Sequence, residues 1–165
     1  MSRVRTYPPH TAEALRAIRM RNSVALPDAY WDFMATTNGA ESIDGFFRVF
    51  GIAQPNRIDA LSWNEEETWK FAWPDSAKSY WCFGETAWGY QYAFLSGDAD
   101  GRVYFLDAVS MRPESIADDF QGFYRSEFLR NCDAPYDALT RQAQAICVGI
   151  DNGRPRKIQQ EFLEI

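Results

Sequence analysis

The sequence predicts an α+β domain in which a central, mainly antiparallel sheet is flanked by helices. Three features support this prediction: helical hydrophobic spacing near the N-terminus, three consecutive strand-like segments in the middle, and helical spacing again after them. The 165 residues are enough for one domain that buries roughly two thirds of its unfolded surface. Because 46% of the residues are hydrophobic and 16% are aromatic, a disordered or low-complexity chain is excluded.

The first predicted helix covers residues 11–21. Ala14, Leu15 and Ile18 fall on one side of this helix, and arginines fall on the other. Thr11 is a suitable N-cap residue because its hydroxyl can accept a hydrogen bond from the first turn. The segment is therefore predicted to be a short amphipathic helix.

The stretch "LPDAYWDFMATTNGAE" (26–41) predicts the second helix. Pro27 and Asp28 suit its first turn, since proline lacks an N–H there and aspartate favours the positive end of the helix dipole. Asn38 and Gly39 can adopt the left-handed conformation that ends a helix. Five side chains recur at i, i+4, i+7, i+8 and i+11, which places them on one helical face: Leu26, Tyr30, Phe33, Met34 and Thr37.

The next part of the chain is predicted to be a strand, an irregular crossing and a helix. "GFFRVFG" (45–51) has the composition of a short aromatic strand, and residues 52–63 read as the crossing. Asn64 precedes three glutamates and is a natural helix start, so a helix is predicted over about 65–72.

Three further strands are predicted over 79–84, 88–95 and 102–107, and they suggest an antiparallel meander. The segment "SGDADG" between the last two has turn chemistry. "GDADG" (97–101) also resembles the first half of a calcium-binding loop, but Val109 stands where that loop needs a bidentate glutamate, so a hairpin turn is favoured. Alternation in the middle strand places four aromatic residues on one face: Trp88, Tyr90, Tyr92 and Phe94.

Helical spacing returns over residues 115–131. One face of this predicted helix carries Ala117, Phe120, Tyr124 and Phe128, with Ile116 and Phe123 beside it. Another helix is predicted over 135–148, and the polar tail has helical spacing near 158–163. We therefore expect a single domain over 1–165, with a core over 11–131 and a C-terminal helical extension over 132–165.

The charge is unevenly distributed along the chain. The net charge is -6, yet residues 26–137 hold nineteen acidic against eight basic side chains, whereas both ends are basic overall. Such an acidic body repels nucleic acid phosphate and is steered toward a basic partner. The alternative is that the acidic residues serve solubility alone.

Few residues are placed for catalysis or metal binding. His10 is the single histidine and lies near an end that is expected to fray. Cys82, Cys132 and Cys147 lack the paired spacing of zinc or redox sites, which is typical of reduced thiols in the cytosol. No apolar run approaches the ~20 residues that span a bilayer. We expect a cytoplasmic protein that is not an enzyme, with no catalytic residues, no metal and no cofactor.

Protein binding is one use of the acidic and aromatic residues. "NEEETWKFAW" (64–73) mixes tryptophans, which are enriched at binding hot spots, with three glutamates. Acidic residues around a binding surface would speed encounter with a basic target, and an aromatic anchor would slow release. The alternative is that Trp69 and Trp73 both face the core. The residues expected at such an interface are Glu65, Glu66, Trp69, Asp98 and Asp100.

A second hypothesis is a glycan-binding or glycan-hydrolysing domain. The aromatic face of residues 88–95 would stack on a sugar, and a pair of carboxylates would carry out hydrolysis. Burial of that aromatic face beneath helices would remove the main support for this hypothesis.

The order of these segments resembles the SUKH superfamily, which contains Smi/Knr-like domains. A helix led by Leu-Pro and followed by Asn-Gly precedes a phenylalanine-glycine stretch, a Trp-Gly pair with an aromatic strand, and a final helix with spaced aromatics. The matching positions are Leu26, Pro27, Tyr30, Asn38, Gly39, Phe83, Gly84, Trp88, Gly89, Tyr92, Phe94, Phe120 and Phe123. The resemblance covers about residues 11–131. The segment between the first strand and the phenylalanine-glycine stretch, and the tail from about Cys132, depart from the pattern.

The resemblance implies a SUKH-like α+β fold and a role that is not enzymatic. Most bacterial members of the superfamily resemble immunity proteins, which neutralise a toxin domain, often a nuclease, of a contact-dependent or polymorphic toxin system. Eukaryotic relatives are instead linked to cell-wall synthesis and stress signalling as scaffolds. The implied partner is a cognate protein toxin, and the acidic body suggests that this toxin is basic. We expect no nucleic acid or membrane partner, and a monomer or small homo-oligomer.

Overall fold

The computed structural model describes residues 3–22, 24–54, 57, 59–67, 70–98 and 100–133. Seven strands form one antiparallel sheet whose order in space follows the chain, which confirms the predicted α+β class. The strands are β1 (Val4–Thr6), β2 (Ala40–Ser42), β3 (Phe47–Val49), β4 (Tyr80–Thr86), β5 (Gln91–Leu95), β6 (Val103–Leu106) and β7 (Pro113–Ala117). The α-helices are α1 (Ala12–Arg21), α2 (Asp28–Thr36), α3 (Ala60–Trp63), α4 (Asp75–Lys78), α5 (Phe120–Phe123) and α6 (Arg130–Asp133).

Two irregular helical segments complete the fold. A 3₁₀ turn covers Lys70–Ala72, and a π-helical stretch, Tyr124–Leu129, lies between α5 and α6. The chain divides into two compact units, Met1–Cys132 and Asp133–Ile165, and the second lies outside the described residues apart from Asp133. The helices predicted over 135–148 and near 158–163 fall in that part, and the single-domain assignment stays a prediction.

An aromatic core fills one face of the sheet. Tyr30 of α2 is fully buried, and its ring meets the rings of Phe94 on β5 and Phe120 on α5 edge-on at centroid distances of 5.6 and 5.3 Å. Phe83 of β4 stacks on Phe94 at 4.3 Å and contacts Phe123 at 5.3 Å. Stacked and edge-to-face geometries are the favoured ones for aromatic pairs, so this cluster joins α2, α5 and the central strands.

The opposite face of the sheet is covered by the long segment between β3 and β4. Cys82 of β4, Ala93 of β5 and Leu106 of β6 are buried there, and the half-buried Trp63 and Trp73 pack against them. The Trp63 indole N–H also donates to the Gln91 amide oxygen at 2.8 Å. Trp73 therefore faces the core. This agrees, for Trp73, with the alternative in which the tryptophans of residues 64–73 face the core and do not form a binding surface.

A row of charged residues crosses β1 to β4 in register. Arg5, Glu41, Arg48 and Glu85 stand opposite one another on successive strands, so the signs of their charges alternate. Arg5 donates to Glu41 at 2.8 Å, and Arg48 donates to Glu85 at 2.7 Å. Opposite charges directly across a ladder stabilise strand pairing, so this row favours the observed register.

The helix predicted over 65–72 is wrong. Asp59 is the N-cap of the short helix α3, and Asn64 ends it. The Asn64 side chain cannot cap a following helix because it is bonded to β4, where it accepts from the Cys82 N–H at 2.8 Å and donates to the Cys82 carbonyl at 2.6 Å. Residues 65–67 are a turn, and the 3₁₀ turn and α4 follow.

The helix predicted over 115–131 begins later than expected. Ile116 and Ala117 belong to β7, which pairs with β6 through Val103↔Ala117 and Tyr104↔Ser115. The helical part starts at Asp119, whose carboxylate accepts from the Gly122 N–H at 2.7 Å. Helical spacing over these residues is outweighed because β6 offers backbone partners to one more strand.

Candidate protein-binding surface

One end of the sheet collects acidic side chains. Tyr80, Leu95, Val103 and Ala117 form the last residues of β4 to β7 on this side. The connections beyond them are α4, the β5–β6 hairpin, and the turn between β7 and α5. Each connection carries acidic residues, and Glu66, in the turn over 65–67, lies beside α4 through its ion pair with Lys78. We call the following set the acidic end: Glu66, Asp75, Asp98, Asp100, Asp118 and Asp119.

The β5–β6 hairpin holds two of these carboxylates in a defined turn. Asp98 accepts from the Asp100 N–H at 3.0 Å, and Gly97 and Gly101 have positive φ angles of 86° and 71°. A Cβ atom at Gly101 would lie 2.7 Å from Cγ of Pro27, so the hairpin packs closely on the start of α2. The hairpin-turn interpretation of "GDADG" is thus confirmed.

The turn over residues 65–67, which we call the glutamate turn, is connected to α4 by an ion pair with Lys78. Glu65, Glu66 and Glu67 are exposed, and the Glu66 carboxylate lies 3.5 Å from Nζ of Lys78 in α4. Nζ of Lys78 also lies 3.2 Å from the Asp75 carboxylate. Asp75 and then Glu66 raise the pKa of Lys78, which keeps this ammonium charged.

The acidic excess at this end is large. Across the glutamate turn, α4 and the two connections, the described residues include eight acidic side chains but only two basic ones, Lys78 and Arg102. The connections at the opposite end, over 43–46, 87–90 and 107–112, carry Asp44, Asp107 and Arg112. The excess of acidic over basic side chains in the described residues is therefore concentrated at one end of the sheet.

A shallow cleft opens beside the acidic end. It has a volume of about 260 Å³ and lies between the end of β7 and the start of the C-terminal helical segment. Its lining includes Asp118, Asp119 and Ser126 together with Ile116, Ala117 and Gly122. The cleft has the size and chemistry to receive a basic side chain.

The predicted interface residues fall into two groups. Glu66, Asp98 and Asp100 belong to the acidic end, and Glu65 lies in the adjoining turn. Trp69 lies outside the described residues. Sequence reasoning did not single out Phe71, an apolar residue within "KFAW" that is 68% exposed in the 3₁₀ turn.

The residues of the aromatic strand are not available to stack on a sugar. Tyr90, Tyr92 and Phe94 are buried, and Tyr92 packs against Phe123 at 4.8 Å. Trp88 lies before β5 in the β4–β5 turn and stacks on Phe46 at 5.4 Å. This burial removes the main support for the glycan hypothesis.

The residues that carry the family resemblance are mostly buried near the sheet. Leu26, Tyr30, Phe83, Tyr92, Phe94, Phe120 and Phe123 lie in the core, and Gly84 packs against β3. Gly89 has a φ angle of 86° in the β4–β5 turn. These positions hold the scaffold together, whereas the acidic end lies on its surface.

Other kinds of site find little among the described residues. No three His, Cys, Asp or Glu side chains there are grouped so that they could hold a metal ion. The sequence suggested that His10 lies near a frayed end. This expectation is wrong, because His10 Nε2 lies 2.7 Å from the Ile52 carbonyl oxygen. No helix in this part of the chain has the length and apolar character needed to cross a bilayer.

Comparison with protein families agrees with the fold described above. The profile of the SMI1 / KNR4 family (SUKH-1) matches residues 9–126, which span α1 to the π-helical stretch. No curated protein sequence gives a significant match to the chain. The family match covers more than two thirds of the sequence and includes every position of the resemblance described above. The chain belongs to the SMI1 / KNR4 family (SUKH-1) of the SUKH superfamily.

Proposed function

We propose that this protein is a non-enzymatic immunity protein that binds and neutralises a cognate toxin domain of a polymorphic or contact-dependent toxin system. Family membership supports this proposal because the SUKH family is compatible with such a role. We further propose that the protein acts in the cytosol, where a toxin domain delivered from a neighbouring cell would arrive.

The observation that carries the proposal is the acidic end. Five of its six carboxylates lie on three connections that the sheet register brings together, Glu66 is joined to them through Lys78, and most of the six are exposed. Such a surface attracts a basic protein, and electrostatic steering raises association rates by about 10- to 1,000-fold. A nuclease toxin would have a basic surface because it must bind nucleic acid phosphate.

Inhibition by such a complex needs no catalytic group on the immunity protein. Carboxylates at the acidic end would pair with the toxin's lysines and arginines, and the bound chain would block access of phosphate to them. The same surface repels nucleic acid, so the immunity protein itself would not bind the nucleic acid on which the toxin acts.

Co-expression with the toxin domain encoded by the adjacent gene tests the proposal. The full chain should restore growth of cells that produce this toxin domain, and the two proteins should co-elute from a sizing column. Glu66→Lys and Asp98→Lys, each made as a single variant, should protect less. Glu114→Lys is the matched control, because Glu114 is exposed on β7 but lies toward the opposite end. Full toxicity in the presence of the folded wild-type chain would contradict the proposal.

A further inference from the structure

Phe71 is exposed, although Lys70 before it is buried and Trp73 after it is half-buried. Four large apolar side chains among the described residues are exposed, namely Met20, Ile43, Phe71 and Val109. Phe71 is the aromatic one among them. Aromatic side chains bury large apolar areas when they are covered and are enriched at the centres of binding interfaces.

The neighbours of Phe71 explain why its ring points outward. Lys70 is buried, its Nζ donates to the Lys78 carbonyl at 3.4 Å, and the same atom lies 5.7 Å from the centre of the Trp73 ring. Trp73 packs on the core beneath the sheet. Because Lys70 at the start of the 3₁₀ turn and Trp73 after it both face inward, the Phe71 side chain lies on the outer side of the turn.

Carboxylates surround the position of Phe71 along the chain. Glu65, Glu66 and Glu67 precede it, and Asp75 follows in α4 with 98% of its side chain exposed. Lys78 pairs with Glu66 and Asp75, and Lys70 Nζ donates to the Lys78 carbonyl, so the four carboxylates near Phe71 still outnumber the two ammonium groups. The exposed ring therefore lies within an acidic surface, whose complement is an apolar pocket bordered by basic residues.

We propose that Phe71 is the anchor of the toxin interface and inserts into an apolar pocket bordered by lysine or arginine residues on the toxin domain. This inference rests on the proposed function and assigns association and dissociation of the complex to different residues. The acidic end sets the association rate, because long-range attraction acts before contact. Phe71 sets the dissociation rate, because buried aromatic contacts must be broken before the complex separates.

The matched control for Phe71 is Val109. Val109 is 73% exposed, close to the 68% of Phe71, but it lies in the β6–β7 connection at the opposite end of the sheet. Phe71→Ala and Val109→Ala each remove an exposed apolar side chain, so both variants should unfold at a urea concentration close to that of wild type. Any difference in binding between them then reports the interface and not the fold.

Binding kinetics of the full-length variants with the purified toxin domain encoded by the adjacent gene test the inference. Phe71→Ala should dissociate roughly 10- to 100-fold faster than wild type with an association rate within about threefold, and Val109→Ala should match wild type. Equal dissociation rates for wild type and Phe71→Ala would overturn the anchor while leaving the proposed function standing. Failure of the wild-type chain to bind this toxin domain would overturn both.

Discussion

The side chain of Asn38 binds both backbone polar groups of Ile52. Its amide oxygen accepts from the Ile52 N–H at 2.8 Å, and its amide nitrogen donates to the Ile52 carbonyl at 3.1 Å. Asn38 lies just before β2, and Ile52 follows β3, so the pair fastens the two chain segments that flank this hairpin. Both residues are buried, and few other side chains could satisfy a donor and an acceptor on one residue.

Replacing Asn38 should therefore destabilise the fold. We expect Asn38→Ala to lower the free energy of unfolding by about 2–3 kcal/mol, since the buried Ile52 N–H loses its acceptor. Urea denaturation measures this change. Asn22→Ala is the control, because the side chain of the half-buried Asn22 bonds to the backbone of Val24, two residues away, and its loss should cost less than about 1 kcal/mol. Equal costs for the two variants would contradict the role given to Asn38.

This asparagine also marks a limit of sequence reasoning. The predicted left-handed helix end at Asn38–Gly39 is wrong for Asn38, because α2 ends at Thr36 and Thr37 is already extended. Gly39 does have a φ angle of 97°, but a Cβ there would lie 2.6 Å from the Gly51 backbone nitrogen. Local spacing identified the two residues, whereas their actual partners are twelve or more positions away in the chain.

The elements that sequence spacing predicted well are those whose signals are local. The Thr11 N-cap, the buried face of α2 and the β4–β5–β6 meander all follow from neighbouring residues. Three strands were missed: β1 and β7, which are the two edges of the sheet, and β2, which lies between β1 and β3. They form because neighbouring strands offer them backbone partners. Short segments with weak intrinsic preference take the structure that their neighbours allow.

The candidate surface was predictable in charge but not in shape. Counting charges along the chain revealed the acidic excess, and Glu66, Asp98 and Asp100 were named from it. Their convergence with Asp118 and Asp119 depends on the strand register, which the sequence does not reveal. Phe71 could not be distinguished from its neighbours because irregular backbone gives no period from which to infer an inward or outward side.

The aromatic core predicts a large loss of stability for Phe83→Ala. Phe83 is fully buried and contacts the rings of Tyr30, Phe94 and Phe123 at 5.8, 4.3 and 5.3 Å. Removing the ring should lower the free energy of unfolding by about 3–5 kcal/mol. Denaturant titration should show this loss, while Phe71→Ala stays close to wild type. A loss below about 1 kcal/mol for Phe83→Ala would mean that the cluster does not support the fold.

Glu85 predicts a specific pH dependence of stability. Burial raises the pKa of Glu85 above its ordinary value of 4.5, and the nearby Arg48 guanidinium and the hydrogen bond from Gln91 oppose that shift in part. The folded state therefore holds this proton more tightly than the unfolded state. The free energy of unfolding should fall as pH rises from 4.5 through the raised value, so protonation of Glu85 stabilises the fold.

Comparison with Glu85→Gln isolates this contribution. The stability of wild type minus that of Glu85→Gln should increase as pH is lowered through the window, because the variant lacks the titrating group. Glu114→Gln, on the exposed edge strand, controls for the loss of one negative charge. A difference that decreases as pH falls would show that the attraction of Arg48 outweighs burial.

Cys82 should be unreactive while the protein is folded. Burial raises the pKa of its thiol well above the ordinary value, although Lys70 opposes the shift, and the thiolate is the reactive form. Cys132 is also buried, at 1% exposure. In a Cys147→Ser variant, a disulfide reagent such as DTNB should react quickly with Cys82 and Cys132 in urea. In buffer, where the protein is folded, both thiols should react much more slowly. Immediate labelling of the native variant would contradict the burial of these side chains.

The central claim is that the acidic end guides a basic toxin domain to this protein. Its most direct test is the association rate with the toxin domain encoded by the adjacent gene, measured at low and high salt for wild type and for a Glu65→Lys, Glu66→Lys variant. Wild type should associate at least tenfold faster at low salt than at high salt, and the variant should associate more slowly with a weaker salt dependence. Identical rates and salt dependence for the two proteins would contradict the claim.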